Sequence, residues 1–279
     1  MKHKPRYPIY VPSKGRAFRP LTIQRLTEMG ADFRVVVEPC DVASYLAVVP
    51  REKILTLPFE NLGLGSIPAR NWIWDHALSI GAKRHWIIDD NIFRFYRMNF
   101  NRRIPAKTPA IFAAAEDFTD RYENVAFSGF NNIAFANDRT RIPPYVLNTR
   151  VYSITLINSA LPMRWRGRFN EDTDICLRAL KDGWCTIQFK AFLADKVTTM
   201  TMAGGNTDTV YATGDHRREF AESLREQHPD CVEVTWKFNR WHHQVDYSRF
   251  RRNELRRAPG ITPTGDSYEY GMVLRRSAA

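Results

Sequence analysis

The run Trp86-Ile87-Ile88 is apolar at every position and stops abruptly at Asp89-Asp90-Asn91. Consecutive apolar residues in a strand point to opposite faces, so this is the signature of a strand buried on both sides, inside a covered sheet. Two unpaired carboxylates at its mouth would repel each other and lose hydration, so something cationic is expected beside them. Asp oxygens suit hard divalent cations such as magnesium or manganese. The plainer reading is that Asp-Asp-Asn simply opens a turn.

Around this strand the chain alternates. Strands are expected over Tyr7–Val11, Phe33–Val37, Lys53–Leu57 and Arg84–Ile88. Helices are expected from Pro20 to Met29, ended by Gly30, and from Asp41 as a cap through Val48. A third starts at Ser66, has Pro68 in its first turn and runs to Ile80 before Gly81. Such alternation means βαβ units, an α/β fold and a Rossmann-type, mainly parallel sheet flanked by helices. Ligands of these sheets sit at the carboxyl ends of the strands, where Lys14, Arg16, Glu38, Asp89 and Asp90 all fall. The second half is more mixed. It predicts a helix over Thr108–Tyr122, strands over Asn124–Ser128 and Tyr145–Ile157, and a helix from Glu171 to Lys181 capped by Asn170. Gly204-Gly205-Asn206 reads as a polar loop, Asp215–Gln227 as a charged helix, and the tail from Arg249 as Arg-rich and partly mobile.

The 279 residues suffice for a real core in one large domain, and 44% apolar with 25% charged residues is an ordinary globular composition. A formal charge of +11 points to a polyanionic partner, nucleic acid before membrane surface. No apolar run approaches membrane-spanning length, and Ile9-Tyr10-Val11 is too short for the core of a signal peptide. Cys40, Cys176, Cys185 and Cys231 lack C-x-x-C spacing and read as reduced residues of a cytoplasmic protein.

Several clusters could do chemistry. Lys14-Gly15-Arg16 after the first strand could cradle a diphosphate, although the Walker pattern is missing and a solvated basic turn is the bland alternative. Gly63-x-Gly65 lacks the third dinucleotide-binding glycine, because Pro68 stands there. Arg70 and Asn71 lie near a helix N-terminus, where anions are favoured. Glu171-Asp172-Thr173-Asp174 opens a helix; its acids either complement the helix dipole or provide, in Asp172, a general base. His242 and His243 are candidate metal ligands, though a His is more often structural. Arginines interleave with aromatics around Arg94 and Arg97, Arg164 and Arg166, and Arg251 and Arg252, a pattern suited to phosphates and stacked bases, or to a solvated face.

Taken together, Pro12-Ser13-Lys14-Gly15-Arg16, Ile67-Pro68-Ala69-Arg70-Asn71, Trp86-Ile87-Ile88-Asp89-Asp90-Asn91 and Glu171-Asp172-Thr173-Asp174 resemble the TET-associated glycosyltransferase family of phages, over most of the chain to about residue 245. The resemblance implies a GT-A-type enzyme that moves a sugar from a UDP-sugar to a 5-hydroxymethylpyrimidine in double-stranded DNA, in a phage-infected bacterial host. It further implies a GT-A domain over residues 1–248, with a nucleotide-sugar half (1–100) and an acceptor half (101–248), before a basic tail (249–279). Carried over by position, Pro12, Ser13, Lys14, Gly15, Arg16, Glu38, Arg70 and Asp89 would bind the nucleotide sugar, with Glu38 at the uracil base. Asp89, Asp90 and Asn91 would hold a manganese or magnesium ion, helped by His242 or His243; Asn91 stands where the family's element usually ends in a carboxylate. Asp172 would be the base of an inverting transferase, with Glu171 beside it, or would merely position the acceptor if configuration is retained. Arg94, Arg97, Arg164, Arg166, Arg251 and Arg252 are the expected DNA contacts. A metal-dependent nuclease, a transferase with a non-DNA acceptor, and a non-catalytic DNA-binding module remain as alternatives.

Overall fold

The computed structural model describes residues 4–100, 102–136, 143–197 and 216–261. The expected alternation is present: β1 (Ile9–Pro12), α1 (Leu21–Glu28), β2 (Arg34–Val37), α2 (Val42–Leu46), β3 (Ile54–Thr56), α3 (Ile67–Ser79) and β4 (Arg84–Ile88). These strands pair in parallel in the order β3-β2-β1-β4. Every residue of β4 is buried. Trp86 and Ile88 join the apolar layer that holds Ile23 and Leu26 of α1, whereas Ile87 joins the layer of Ile73, Trp74 and Ala77 of α3. Adjacent side chains thus enter opposite cores, which is why three apolar residues stand in a row.

The chain continues through β5 (Ile92–Asn99), β6 (Arg102–Pro105), α4 (Ala110–Thr119), β7 (Val125–Asn132), β8 (Tyr145–Leu147), β9 (Ile154–Asn158), α5 (Glu171–Lys181) and β10 (Cys185–Lys196). One sheet extends through both halves as β3-β2-β1-β4-β9-β7-β10-β5-β6, with β8 also on β10. β9, β5 and β8 run against the remaining strands, giving a mixed sheet whose strands mainly share one direction. α4 shares a layer with α1, and α5 shares one with α3. Then α6 (Arg217–Gln227) precedes a separate hairpin of β11 (Val232–Lys237) and β12 (Arg240–Val245).

Tyr145–Ile157 is not one strand. β8 pairs with β10, and β9 inserts between β4 and β7, so the intervening chain must bend; Asn148 (φ 55°) and Ser153 (φ 63°) adopt left-handed backbone there. Val151 and Tyr152, both good strand formers, hide this break from pattern reading. Gly129 on β7 permits the close passage, because a Cβ would lie 2.0 Å from the Ile154 carbonyl oxygen. The interleaved arginines and aromatics after Asp90 form the β5–β6 hairpin, whose pairing the sequence pattern does not reveal.

The first part of the C-terminal segment is tied down. Asn148 Nδ2 donates to the carbonyls of Phe250 (2.9 Å) and Asn253 (2.7 Å), and Arg257 bridges to Tyr122. The mobility expected of the last residues, the Gly204-Gly205-Asn206 loop and the Asp215 start of α6 fall outside the described residues. No helix among the described residues is long and apolar enough to cross a membrane. All four cysteines are free thiols.

Candidate active site

A cavity of about 1000 Å³ opens at the carboxyl ends of β1, β2 and β4 and is walled on its far side by α5 and β12. Pro12, Ser13, Lys14, Arg16, Glu38, Arg70, Asp89, Asp90, Asn91, Glu171, Asp172, His242 and His243 all line it. Gly15 does not, but its N–H donates to Asp41 Oδ2 at 2.8 Å, which fixes the loop at φ 63°. Asp41 therefore stabilises this loop instead of capping α2 with its side chain.

The acidic pair is answered by protein cations. Ser13 Oγ donates to Asp90 Oδ2 at 2.6 Å, and Arg16 Nη1 donates to Asp90 Oδ1 at 2.5 Å. Burial pushes the Asp90 carboxyl upward against the pull of Arg16 and Ser13. Arg70 Nη2 donates to Asp89 Oδ1 at 3.0 Å, and Lys196 Nζ lies 3.7 Å from Asp89 Oδ2. Lys14 Nζ sits 2.7 Å from Glu38 Oε2, which also accepts from Asn61 N at 3.0 Å.

This arrangement does not fit the expected metal site. A divalent cation at the pair would have to displace Arg16 from Asp90 and compete with Arg70 and Lys196 for Asp89. His242 Nε2 already accepts from Arg240 Nε at 3.0 Å. Burial, with Arg150 and His242 adding repulsion, lowers His243 to about 4 and keeps it neutral. Among the described residues no three His, Cys, Asp or Glu side chains come together as a metal-binding group. In this arrangement guanidinium and ammonium groups meet the charge that pointed to a metal, and the expected Asp89, Asp90, Asn91 and His242 set is not drawn together around one point among the described residues.

Asp172 follows directly on Glu171 at the N-terminus of α5. Arg70 Nη1 approaches its Oδ1 at 3.5 Å, an ion pair without hydrogen-bond alignment. Burial raises the carboxyl to about 7; Arg70 pulls it down, while Glu171 and Asp89 push it up. Ser66 Oγ donates to Glu171 Oε1 at 3.4 Å and accepts from Arg70 Nε at 3.3 Å. The guanidinium of Arg70 also stacks 4.8 Å from the Trp165 ring, so α3, α5 and the loop before α5 converge on one side chain. Asn170 precedes α5 in a left-handed conformation (φ 55°); its Nδ2 donates to Phe220 O at 2.7 Å instead of capping the helix.

Four buried polar atoms of cavity-lining residues have no hydrogen-bond partner among the described residues: Asn91 Oδ1, Tyr152 OH, Asp172 Oδ1 and Thr173 Oγ1. Buried polar atoms are normally satisfied, so their gathering here points to a polar ligand. Lys196, Arg150 and Tyr152 were missed in the sequence. Lys196 is brought opposite Ile92 only by antiparallel pairing of β10 with β5, and Arg150 and Tyr152 sit in the bend that interrupts the expected Tyr145–Ile157 strand.

The six expected DNA arginines lie away from the cavity lining. Arg164 pairs with Asp75 at 2.8 Å and covers the Trp74 ring. Arg166 pairs at 2.9 Å with Asp174, which Arg178 and His228 also engage. Arg94, Arg251 and Arg252 are exposed, and Arg97 is half-buried.

A family model, TET-Associated Glycosyltransferase, matches residues 7–205. That span is more than half the chain and contains both Asp89-Asp90 and Asp172. The chain belongs to this family. A TET-associated glycosyltransferase is a sugar-transferring enzyme, which removes the nuclease alternative. No curated protein matches the chain. One solved structure, described as a nucleotide-diphospho-sugar transferase from Desulfovibrio desulfuricans G20, is 12% identical with a TM-score of 0.40, covering 80% of this chain and 95% of that one.

Proposed function

We propose that this glycosyltransferase moves a sugar from a UDP-sugar to the hydroxymethyl oxygen of 5-hydroxymethylcytosine, or another hydroxymethylpyrimidine, in double-stranded DNA, with inversion. The observation that supports it best is Asp172. A carboxylate with its proton affinity raised to about 7 is matched to general-base work near neutral pH. It shares one cavity with Lys14, Arg16, Arg70 and Lys196, the charges a departing diphosphate needs.

In this reading Asp172 takes the proton of the hydroxymethyl O–H as the oxygen attacks the anomeric carbon. The bond from that carbon to the β-phosphate oxygen breaks on the opposite face, and UDP leaves with the electron pair. Lys14 and Lys196 offset the charge that grows there, while Arg70 holds Asp89 and Asp172 in place and Arg16 holds Asp90. Glu38 would meet the uracil from the end of β2, oriented by Lys14 and Asn61. No step is routed through a metal, because the residues present do not fit one. The DNA acceptor rests on the family and on the +11 charge.

The test is mass spectrometry of nucleosides from DNA containing hydroxymethylcytosine, and in parallel hydroxymethyluracil, incubated with the protein and a panel of UDP-sugars. A hexose or N-acetylhexosamine gain on the modified base is expected. Unmodified hydroxymethylcytosine and hydroxymethyluracil under every donor would refute the acceptor.

A further inference from the structure

The β11–β12 hairpin lies outside the span matched by the family model, and the transfer chemistry above leaves it without a role. Lys237 and Arg240 pair across it, so Phe238 and Asn239 alone form the turn. Both have left-handed backbone, φ 52° and 57°. A two-residue turn of this hand suits Asn and Gly, and Asn239 is at home in it. A phenylalanine is not: its side chain is strained at positive φ, and burial does not repay the strain. Phe238 is 88% exposed, the most exposed of the large apolar side chains among the described residues, and its ring contact is with His242 at 6.1 Å, edge to face.

The strands of the hairpin are packed along their length. Trp236 and Trp241 meet edge to face across the strands at 5.2 Å, and the Arg218 guanidinium of α6 covers Trp241 at 5.0 Å. Val232 packs with Leu177 and Leu180 of α5, with Val245 against the same cluster. The helix that bears Asp172 thus also supports the hairpin. Arg240 to His243 line the cavity that contains Asp172, and the turn lies immediately beyond Arg240. Trp236, 56% exposed, and the cations Lys237 and Arg240 flank it.

We propose that this hairpin enters duplex DNA, with Phe238 as a wedge between stacked bases and Lys237 and Arg240 on the adjoining phosphates, so that a displaced hydroxymethylpyrimidine is delivered into the cavity before Asp172. A projecting apolar side chain flanked by cations suits a partner that offers base faces beside phosphates. The proposal rests on the DNA-acceptor reading above.

Two measurements on the full chain test it, with Phe238→Gly, which relieves the turn strain and so keeps the hairpin folded. The first compares kcat/KM on a duplex and a single-stranded oligonucleotide, each with one hydroxymethylcytosine. Phe238→Gly is expected to lose at least tenfold on the duplex and stay within twofold on the single strand. A mismatch opposite the modified base should restore most of the loss, because that base is already unstacked. The second uses unmodified duplex containing 2-aminopurine: wild type should raise its fluorescence on binding, and Phe238→Gly should not. Equal duplex rates for both proteins, or an equal loss on duplex and single strand, overturn the wedge. Wild type that transfers to neither substrate overturns the acceptor reading, and the 2-aminopurine signal then still decides whether the hairpin opens DNA.

Discussion

Asp172→Asn separates catalysis from stability. The carboxyl titrates at about 7 in the folded protein against an ordinary 3.8, so its proton is held over about three units. At about 1.4 kcal/mol per unit, the buried charge costs at most about 4 kcal/mol above pH 7. The side chain is 22% exposed to the cavity. Water therefore screens part of this, leaving roughly 1–2 kcal/mol. Between about pH 4 and 7 the folded state keeps a proton that the unfolded chain has lost, so stability falls as pH rises through that window and levels off above it. Asparagine removes the charge while keeping the shape. Asp172→Asn should raise Tm by about 2–4 °C at pH 8 for a chain of this size. The gain should shrink toward pH 5, and transfer should fall by about 100-fold to 10,000-fold. Calorimetry at the two pH values and a single-turnover transfer assay read both effects. A variant no more stable at pH 8 than wild type would show that Asp172 is not a desolvated carboxylate, and near-wild-type turnover would end its role as base.

Wild-type kcat/KM should rise with pH through about 7 as Asp172 ionises, and a pH profile flat between 6 and 8 would contradict this. Lys196→Ala should lower kcat by about tenfold or more with little change in Tm, since its partner Asp89 keeps Arg70; unchanged turnover would remove Lys196 from the leaving-group site. Transfer assayed in a chelator should stay within about twofold of that in manganese, because Arg16, Arg70 and Lys196 already hold the two carboxylates. A deep loss restored by manganese would mean that a cation displaces Arg16. Gly129→Ala should destabilise the fold by about 3 kcal/mol or more, because its Cβ would meet a backbone carbonyl at 2.0 Å; denaturant unfolding measures it, and a loss below about 1 kcal/mol would mean β9 can shift.

The sequence by itself determined the N-terminal half of the fold. Apolar runs such as Val35–Val37 and Trp86–Ile88, with Gly30 and Gly81 closing helices, are local signals, and local signals suffice for βαβ units. It also brought Lys14, Arg16, Arg70, Asp89 and Asp172 forward, because charged residues at strand ends and helix starts are visible without knowing the sheet order. Only the tertiary structure decided what those charges do. Asp89 and Asp90 signalled an unseen cation; the parallel pairing of β1 with β4 brings Arg16 from one strand end to the other, and β10 folding back on β5 supplies Lys196. Those partners lie 74 and 107 residues away in the chain. Such distances leave no trace in spacing or periodicity. The hairpin shows the same limit: Phe238-Asn239 is unremarkable as text, and only backbone hand, exposure and the packing of β11 on α5 give the phenylalanine a meaning.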